Sequence, residues 1–410
     1  MQSEKASPFF MRKFRSFCLF LSLFSLITGA LALCSCKKQE RDKTDIPSKA
    51  EIICGAEQCE RYFPLLKDKH FALVVNQTSR IGEKHLVDSL CAAGLRPDFI
   101  FALEHGFRGQ ADAGAKIVDG KDSRSGLDIV SLYGKNKKPS PEHLQKLDYV
   151  VFDIQDVGCR FYTYLSSLHY IMEACAENKV KLLLLDRPNP NDYVDGPLLE
   201  SDCRSFVGMH PIPVLHGCTL GEMARMINGE KWIGDSCALH IVEVKNWQHG
   251  QSYSLPVKPS PNLPNDRAIR LYPSLCLFEG SIVSVGRGTT EAFQMLGLPD
   301  SSYGQFSFTP RSLPGFDTRP MYQDQTCYGL DLRQDSVTQG FSLKYLIYFL
   351  ERTPHKASFF SRAAFFDLLA GNHRLREQLL QGLSEEEIRR SWEADLQNYR
   401  AKRSLYLLYK

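Results

Sequence analysis

Several signatures that would name a chemistry outright are missing from this chain. No GxGxxG follows the first apolar run and no GxxxxGK[ST] occurs, so neither the dinucleotide fingerprint nor the P-loop cradle is present. GxSxG and HExxH are absent too, which removes the nucleophile elbow and the zinc-protease helix. No CxxC pair or Cys/His spacing suggests zinc, and no metal or cofactor is expected. Charge of one sign is also lacking. The formal +3 resides in residues 1–35, where Lys5, Arg12, Lys13 and Arg15 face only Glu4; the remainder balances at 46 basic against 46 acidic groups, from totals of 50 and 47. With no basic stripe, nucleic acid is excluded as a partner.

What is present begins with an export segment. Arg12, Lys13 and Arg15 precede an apolar run from Phe17 to Leu33, followed by Leu33-Cys34-Ser35-Cys36. A Leu three before and a small Ser one before a cysteine resemble a bacterial lipoprotein cleavage box. Residues 1–35 are therefore expected to be a signal peptide and Cys36 the lipidated first residue of a membrane-anchored lipoprotein on the periplasmic or outer-membrane side. An uncleaved helical anchor and a soluble secreted form are the rival readings. Residues 36–51, including 37-KKQERDKTDIPSKAE-51, are too polar to pack and read as a flexible tether. Three of the thirteen cysteines fall in the export segment. The other ten read mostly as small buried hydrophobes, although Cys54 and Cys59 could close a short disulfide loop.

From residue 69 the pattern alternates strand and helix. The runs 71–76, 99–103, 149–154 and 180–185 are dense in Phe, Ile, Val and Leu, as in strands of a parallel sheet buried on both faces. Helices are expected at 84–94 and 164–178, with a long Gly- and Lys-rich connection over 104–140. The pattern fades after 216-HGCTLGEMARMING-229, which predicts a Rossmann-like α/β domain over 52–235 and a smaller α+β domain over 236–410. The second half ends in helical segments at 341–352, 360–371 and 384–408.

Ligands of open α/β sheets bind beyond the carboxyl ends of the strands, and chemistry is concentrated there. Glu104 follows directly on Phe99–Leu103, where burial at a sheet end suits a general acid; the bland alternative is a structural pair with Arg108. His105 and Arg108 share its motif. Asp153 and Gln155 alternate onto one face, while Asp156, next to Gly158, reads equally as a turn residue. Arg160, Tyr162 and Tyr164 alternate as one wall suited to an acidic sugar, or as a tyrosine pair packed under a helix. Asp186 and Arg187 open a proline-locked turn, His216 ends the next strand, and Glu279 and Arg287 lie among small residues in 278-FEGSIVSVGRGTTEAFQMLGLP-299.

Taken together, VVNQTSR (74–80), ALEHGFRG (102–109), FDIQDVGCRFYTY (152–164), LDRPNP (185–190), HGCTLGEMARMING (216–229) and EGSIVSVGRGTT (279–290) resemble the DUF1343 family, associated with exo-β-N-acetylmuramidases of the NamZ type. The resemblance implies a Rossmann-like domain and a smaller domain with a cleft at their junction. It also implies release of terminal N-acetylmuramic acid from the non-reducing end of peptidoglycan fragments, with Glu104 as catalytic acid. Asp153 and Asp156 become its expected catalytic partners. Asn76, His105, Arg108, Gln155, Arg160, Tyr162, Tyr164, Asp186, Arg187, His216, Glu279 and Arg287 become expected substrate contacts. A muramyl saccharide would be the partner, its lactyl carboxylate gripped by Arg160 or Arg287. One departure from the family pattern is Ser281-Ile282, where Thr-Asn is expected. The rival function is a non-catalytic lipoprotein that binds or senses cell-wall saccharides.

Overall fold

Alternation within the apolar runs builds the centre of the molecule. In this computed structural model, which describes residues 50–410 except 105, 109–118, 135 and 336–339, those runs form a seven-stranded sheet. Its strands lie in the order Leu239–Val242, Lys181–Leu185, Tyr149–Asp153, Phe71–Val75, Phe99–Ala102, Asp128–Ser131 and Gly120–Lys121. Six are parallel, and only Gly120–Lys121 runs antiparallel, against Asp128–Ser131. Numbered along the chain, the parallel strands stand in the doubly wound order 3-2-1-4-5-6. Ala72, Val74, Phe101, Val150, Phe152, Leu182 and Leu184 enter one apolar core, while Phe71, Leu73, Val75, Ile100, Val151, Leu183 and Leu185 enter another on the opposite face. Both faces are covered, which explains why these strands read as continuous apolar runs rather than as alternating ones.

Helix Tyr164–Asn178 packs its Leu165, Leu168, Ile171, Met172 and Cys175 into the first core. The same core continues through helix Asp266–Leu275 and into the C-terminal helices as far as Tyr399. The second half adds a three-stranded antiparallel sheet, ordered Met295–Leu298, Cys327–Asp331, Phe306–Phe308, and a run of helices from Lys344 to Ser404. Among the described residues no helix is long and apolar enough to cross a membrane; the export segment, Cys36 and the tether as far as residue 49 lie outside the described residues.

Three details differ from the sequence reading. Asp128–Ser131 is a strand of the main sheet inside what reads as a long connection; it is short and half exposed, so it lacks the apolar density of its neighbours. Leu239–Val242 extends the sheet past residue 236. Pro213–His216 instead pairs antiparallel with Val194–Leu198 in a separate ribbon. The ten cysteines among the described residues are all free thiols, Cys54 and Cys59 included.

The sheet end also explains two of the expected site residues. Asp153 closes the Tyr149–Asp153 strand, fully buried, and is gripped by Arg187 through Nε to Oδ1 at 2.6 Å and Nη2 to Oδ2 at 3.0 Å. This fork ties two adjacent strand ends together and leaves Asp153 no free oxygen for a substrate. Replacing Asp153 with Ala strands the Arg187 charge in the interior, and the unfolding free energy in urea should fall by about 3–5 kcal/mol; a loss below about 1 kcal/mol would show that the pair is not what closes this sheet end.

Candidate active site

The strand Phe99–Ala102 and the segment after Tyr149–Asp153 leave the sheet on either side of the central Phe71–Val75 strand, where a crevice opens. Glu104 lies two residues past its strand, and Gly106, at φ +70°, turns the chain away immediately afterwards. The Glu104 carboxylate accepts hydrogen bonds from the Tyr133 hydroxyl to Oε1 at 3.0 Å and from the Thr163 hydroxyl to Oε2 at 3.4 Å. The Tyr164 hydroxyl donates to the Glu104 main-chain oxygen at 3.4 Å. Thr163 precedes helix Tyr164–Asn178 and Tyr164 opens it, so these two residues join the helix to the strand end. Burial, together with the Glu104 charge, pushes the Tyr133 and Tyr164 hydroxyls above their ordinary range, so both stay protonated as donors.

Glu104 lines a cavity of about 180 Å³ whose other walls come from distant parts of the chain. Phe161 to Tyr164 form one side, Ser260 to Leu263 another, and Tyr272, Cys276, Glu279, Arg287 and Phe293 come from the second half. Phe365 and Leu369 close it from the C-terminal helices. The aromatic part is interlocked: Tyr272 meets Phe161, Tyr162 and Phe293 at ring-centroid distances of 5.4, 5.9 and 5.0 Å. Arg287 donates from Nε to Glu279 Oε1 at 2.6 Å and lies 5.1 Å above the Phe293 ring. Its two Nη groups make no hydrogen bond to any described residue. The cavity thus offers two carboxylates, one guanidinium, hydroxyls and aromatic faces, a combination suited to a polar, ring-shaped anion.

Comparison with known proteins identifies the scaffold. The sequence models described as Exo-beta-N-acetylmuramidase NamZ, N-terminal and C-terminal, match residues 71–267 and 270–409. The chain belongs to the NamZ exo-β-N-acetylmuramidase family. It is 36% identical over 416 residues to the peptidoglycan beta-N-acetylmuramidase NamZ of Bacillus subtilis, covering 95% of this chain and 97% of that one. Two crystal structures of DUF1343 family proteins from Bacteroides fragilis superpose with TM-scores of 0.81 and 0.76 at 44% and 29% identity, each covering 88% of this chain and 99% of the other. The boundary between the two NamZ parts, at residues 267–270, falls at the start of helix Asp266–Leu275, so the cavity draws on both parts.

Of the residues read from sequence in this NamZ-family chain, Glu104, Tyr162, Tyr164, Glu279 and Arg287 line the cavity. Tyr162 is partly structural, since its hydroxyl donates to the Pro259 carbonyl at 2.9 Å. The remaining described candidates lie elsewhere, each with its own partners. Arg160 is sealed inside, donating from Nη1 to the carbonyls of Pro197 and Ile212 and from Nη2 to those of Leu369 and Ala370, at 2.7–2.9 Å. Buried and away from the cavity lining, it is not presented to a ligand carboxylate, contrary to expectation. Arg108 forks onto Asp122 at 2.8 and 3.0 Å and reaches Asp88 at 3.2 Å, anchoring the segment after Glu104 rather than pairing with it. Gln155 donates to the carbonyls of Asp156 and Pro188, and Asn76 accepts from Thr78. Asp186 accepts from Thr219, Gly221 and Tyr409. His105 lies outside the described residues. Ile282, the departure from the family pattern, is not among the cavity-lining residues; its carbonyl accepts from Tyr322, and Ser281 bonds the Phe278 carbonyl.

Tyr133, Thr163, Asn262 and Tyr272 were missed from sequence. Thr163 sat inside a quoted motif between two chosen tyrosines; the other three reach the site through long-range folding and carried no local signal.

Asp156 and His216 form a buried pair beneath this region. Asp156 Oδ1 accepts from the Gly158 amide at 2.7 Å in a turn that requires φ +76° at Gly158, and His216 Nε2 lies 3.9 Å away. Burial pushes the Asp156 carboxyl up to about 7 and the His216 imidazole down to about 3, so both are neutral in the folded protein near pH 6. An unfolded Asp ionises near its ordinary value of 3.8, so the stability held by the neutral carboxyl is complete below about pH 4 and is lost as pH rises to about 7. Asp156→Asn keeps the turn acceptor without that loss. In urea titrations it should gain on the order of 2–4 kcal/mol over the parent at pH 8 and nothing at pH 4; an advantage independent of pH would refute the assignment.

Proposed function

We propose that this chain removes N-acetylmuramic acid from the non-reducing end of peptidoglycan fragments, with Glu104 as the general acid. The observation that carries this reading is the single cavity in which Glu104 meets the Glu279–Arg287 pair. Membership of the NamZ family and the name of the Bacillus subtilis relative support the substrate class. Glycoside hydrolysis requires an acid on the leaving oxygen, and a carboxylate on the other side of the sugar commonly assists. Glu104 serves as the acid. Of its expected partners, Asp153 is gripped by Arg187 and Asp156 does not line the cavity, so Glu279 is the second carboxylate. Muramic acid differs from glucosamine by a lactyl carboxylate, and the Nη groups of Arg287 form a planar fork for it. The aromatic walls take the apolar faces of the sugar ring.

The export segment fits this assignment, because peptidoglycan lies where a lipoprotein anchored through Cys36 would be displayed. Cys36→Ala should move the protein from the membrane pellet to the soluble fraction; continued pelleting would favour an uncleaved helix.

The activity is tested with a chromogenic N-acetylmuramic acid β-glycoside. Glu104→Gln should lower kcat by about 10²–10⁴-fold while N-acetylmuramic acid still binds. Arg287→Ala should lose more activity on the muramic acid substrate than on its glucosamine counterpart. Turnover unchanged in Glu104→Gln would remove that residue from the chemistry. Saccharide binding without turnover by the parent protein would instead support the binding lipoprotein.

A further inference from the structure

We propose that Asp202, Cys203 and His373 form a metal site, apart from the cavity, whose donor set and spacing match Zn²⁺. Asp202 and Cys203 belong to the short turn Ser201–Cys203, and His373 precedes helix Arg374–Leu380, so 170 residues separate the thiol from the imidazole. The three donor atoms lie within 4.8 Å of one another. His373 Nε2 is 3.4 Å from Asp202 Oδ2 and 3.8 Å from Cys203 Sγ. A tetrahedral zinc with ordinary Zn–N, Zn–O and Zn–S bonds holds such donors about 3.4–3.6 Å apart, which both imidazole distances approach, while the carboxylate and thiol stand within 4.8 Å of each other. A water molecule would take the fourth position.

The imidazole is already oriented for this role. His373 Nδ1 bonds Asp367 Oδ2 at 2.7 Å, which directs Nε2 toward Asp202 and Cys203. Asp367 is itself fixed by Arg376, through Nε to Oδ1 and Nη2 to Oδ2, both at 2.8 Å. A carboxylate behind a ligating histidine is the usual second layer of a zinc site. The two segments are also held together independently of the donors: the Glu200 amide donates to the Gly371 carbonyl at 2.7 Å, and Arg374 pairs with Glu200. The site therefore exists before a metal arrives. Thiolate, imidazole and carboxylate together select zinc over magnesium or calcium. One thiolate and one carboxylate also balance the charge of the ion. Binding expels the thiol proton, and the imidazole's extra proton where one is held, to solvent. None of the three donors lines the cavity, so this site acts on the fold: it clamps the 201–203 turn to the 371–374 segment.

The competing arrangement is a protonated His373 bridging Asp202 and Asp367 with the thiol a bystander. Titrating the metal-free protein with Zn²⁺ by calorimetry, with metal analysis after dialysis, separates the two. One zinc per chain and a melting temperature raised by several degrees are expected. Cys203→Ser, His373→Ala and the exposed-site variant Asp202→Asn should each weaken binding at least tenfold, while Cys327→Ser, distant in the fold, should not. Co²⁺ in place of zinc should give a thiolate-to-cobalt charge-transfer band that Cys203→Ser abolishes. Absence of retained zinc, or zinc retained equally by Cys203→Ser and Asp202→Asn, would overturn the site in favour of the protonated bridge.

Discussion

One buried guanidinium joins the parts of the molecule that enclose the cavity. Arg160 lies three residues before Thr163 and sends its charge not to a carboxylate but to four main-chain carbonyls, two on the Val194–Leu198/Pro213–His216 ribbon and its approach, and two in the segment Leu369–Ala370. Hydrogen bonds from a charged donor are worth about 1.5–3 kcal/mol each, and the alternative, an unsatisfied buried charge, is costlier still. The segment that carries Thr163 and Tyr164 is therefore registered against the helix that supplies Phe365 and Leu369. Glu104, which depends on Thr163 and Tyr164 for its position, inherits that registration.

Much of this was legible in the chain. Runs such as 149-YVVFD-153 and 181-KLLLL-185 read as strands covered on both faces, and the acid following 99-FIFA-102 then stands at a sheet end. What the sequence could not reveal is how each charged group is neutralised. Asp153, Arg160 and Arg187 carry the same chemical promise as Glu104 and Arg287, but the first three are consumed in crossing points of the chain. That difference lies in partners 34 to 210 residues away. The same limit hides Cys203 and His373, whose spacing matches no local metal motif because folding alone brings them together.

The carboxyls around the sheet end sort by the kind of partner each has. Asp153 is held by a cation, so protonating it would break an ion pair. Asp156 and Asp186 are pushed up to about 7 and about 6 by burial, and neither lines the cavity. Glu104 is different: the partners of its carboxylate are hydroxyls, from Tyr133 and Thr163. A hydroxyl can donate to a carboxylate and, after rotating, accept from the carboxylic acid.

In the general-acid role proposed for Glu104 such neighbours are an advantage, since the hydroxyls can bond either form of a carboxyl. The cation in this cavity, Arg287, is instead paired with Glu279, where it lowers the cost of a second carboxylate and leaves its Nη edge for an anion. Under the proposed function, the division between hydroxyl-supported Glu104 and cation-supported Glu279 separates proton transfer from charge recognition, and an acidic sugar requires both.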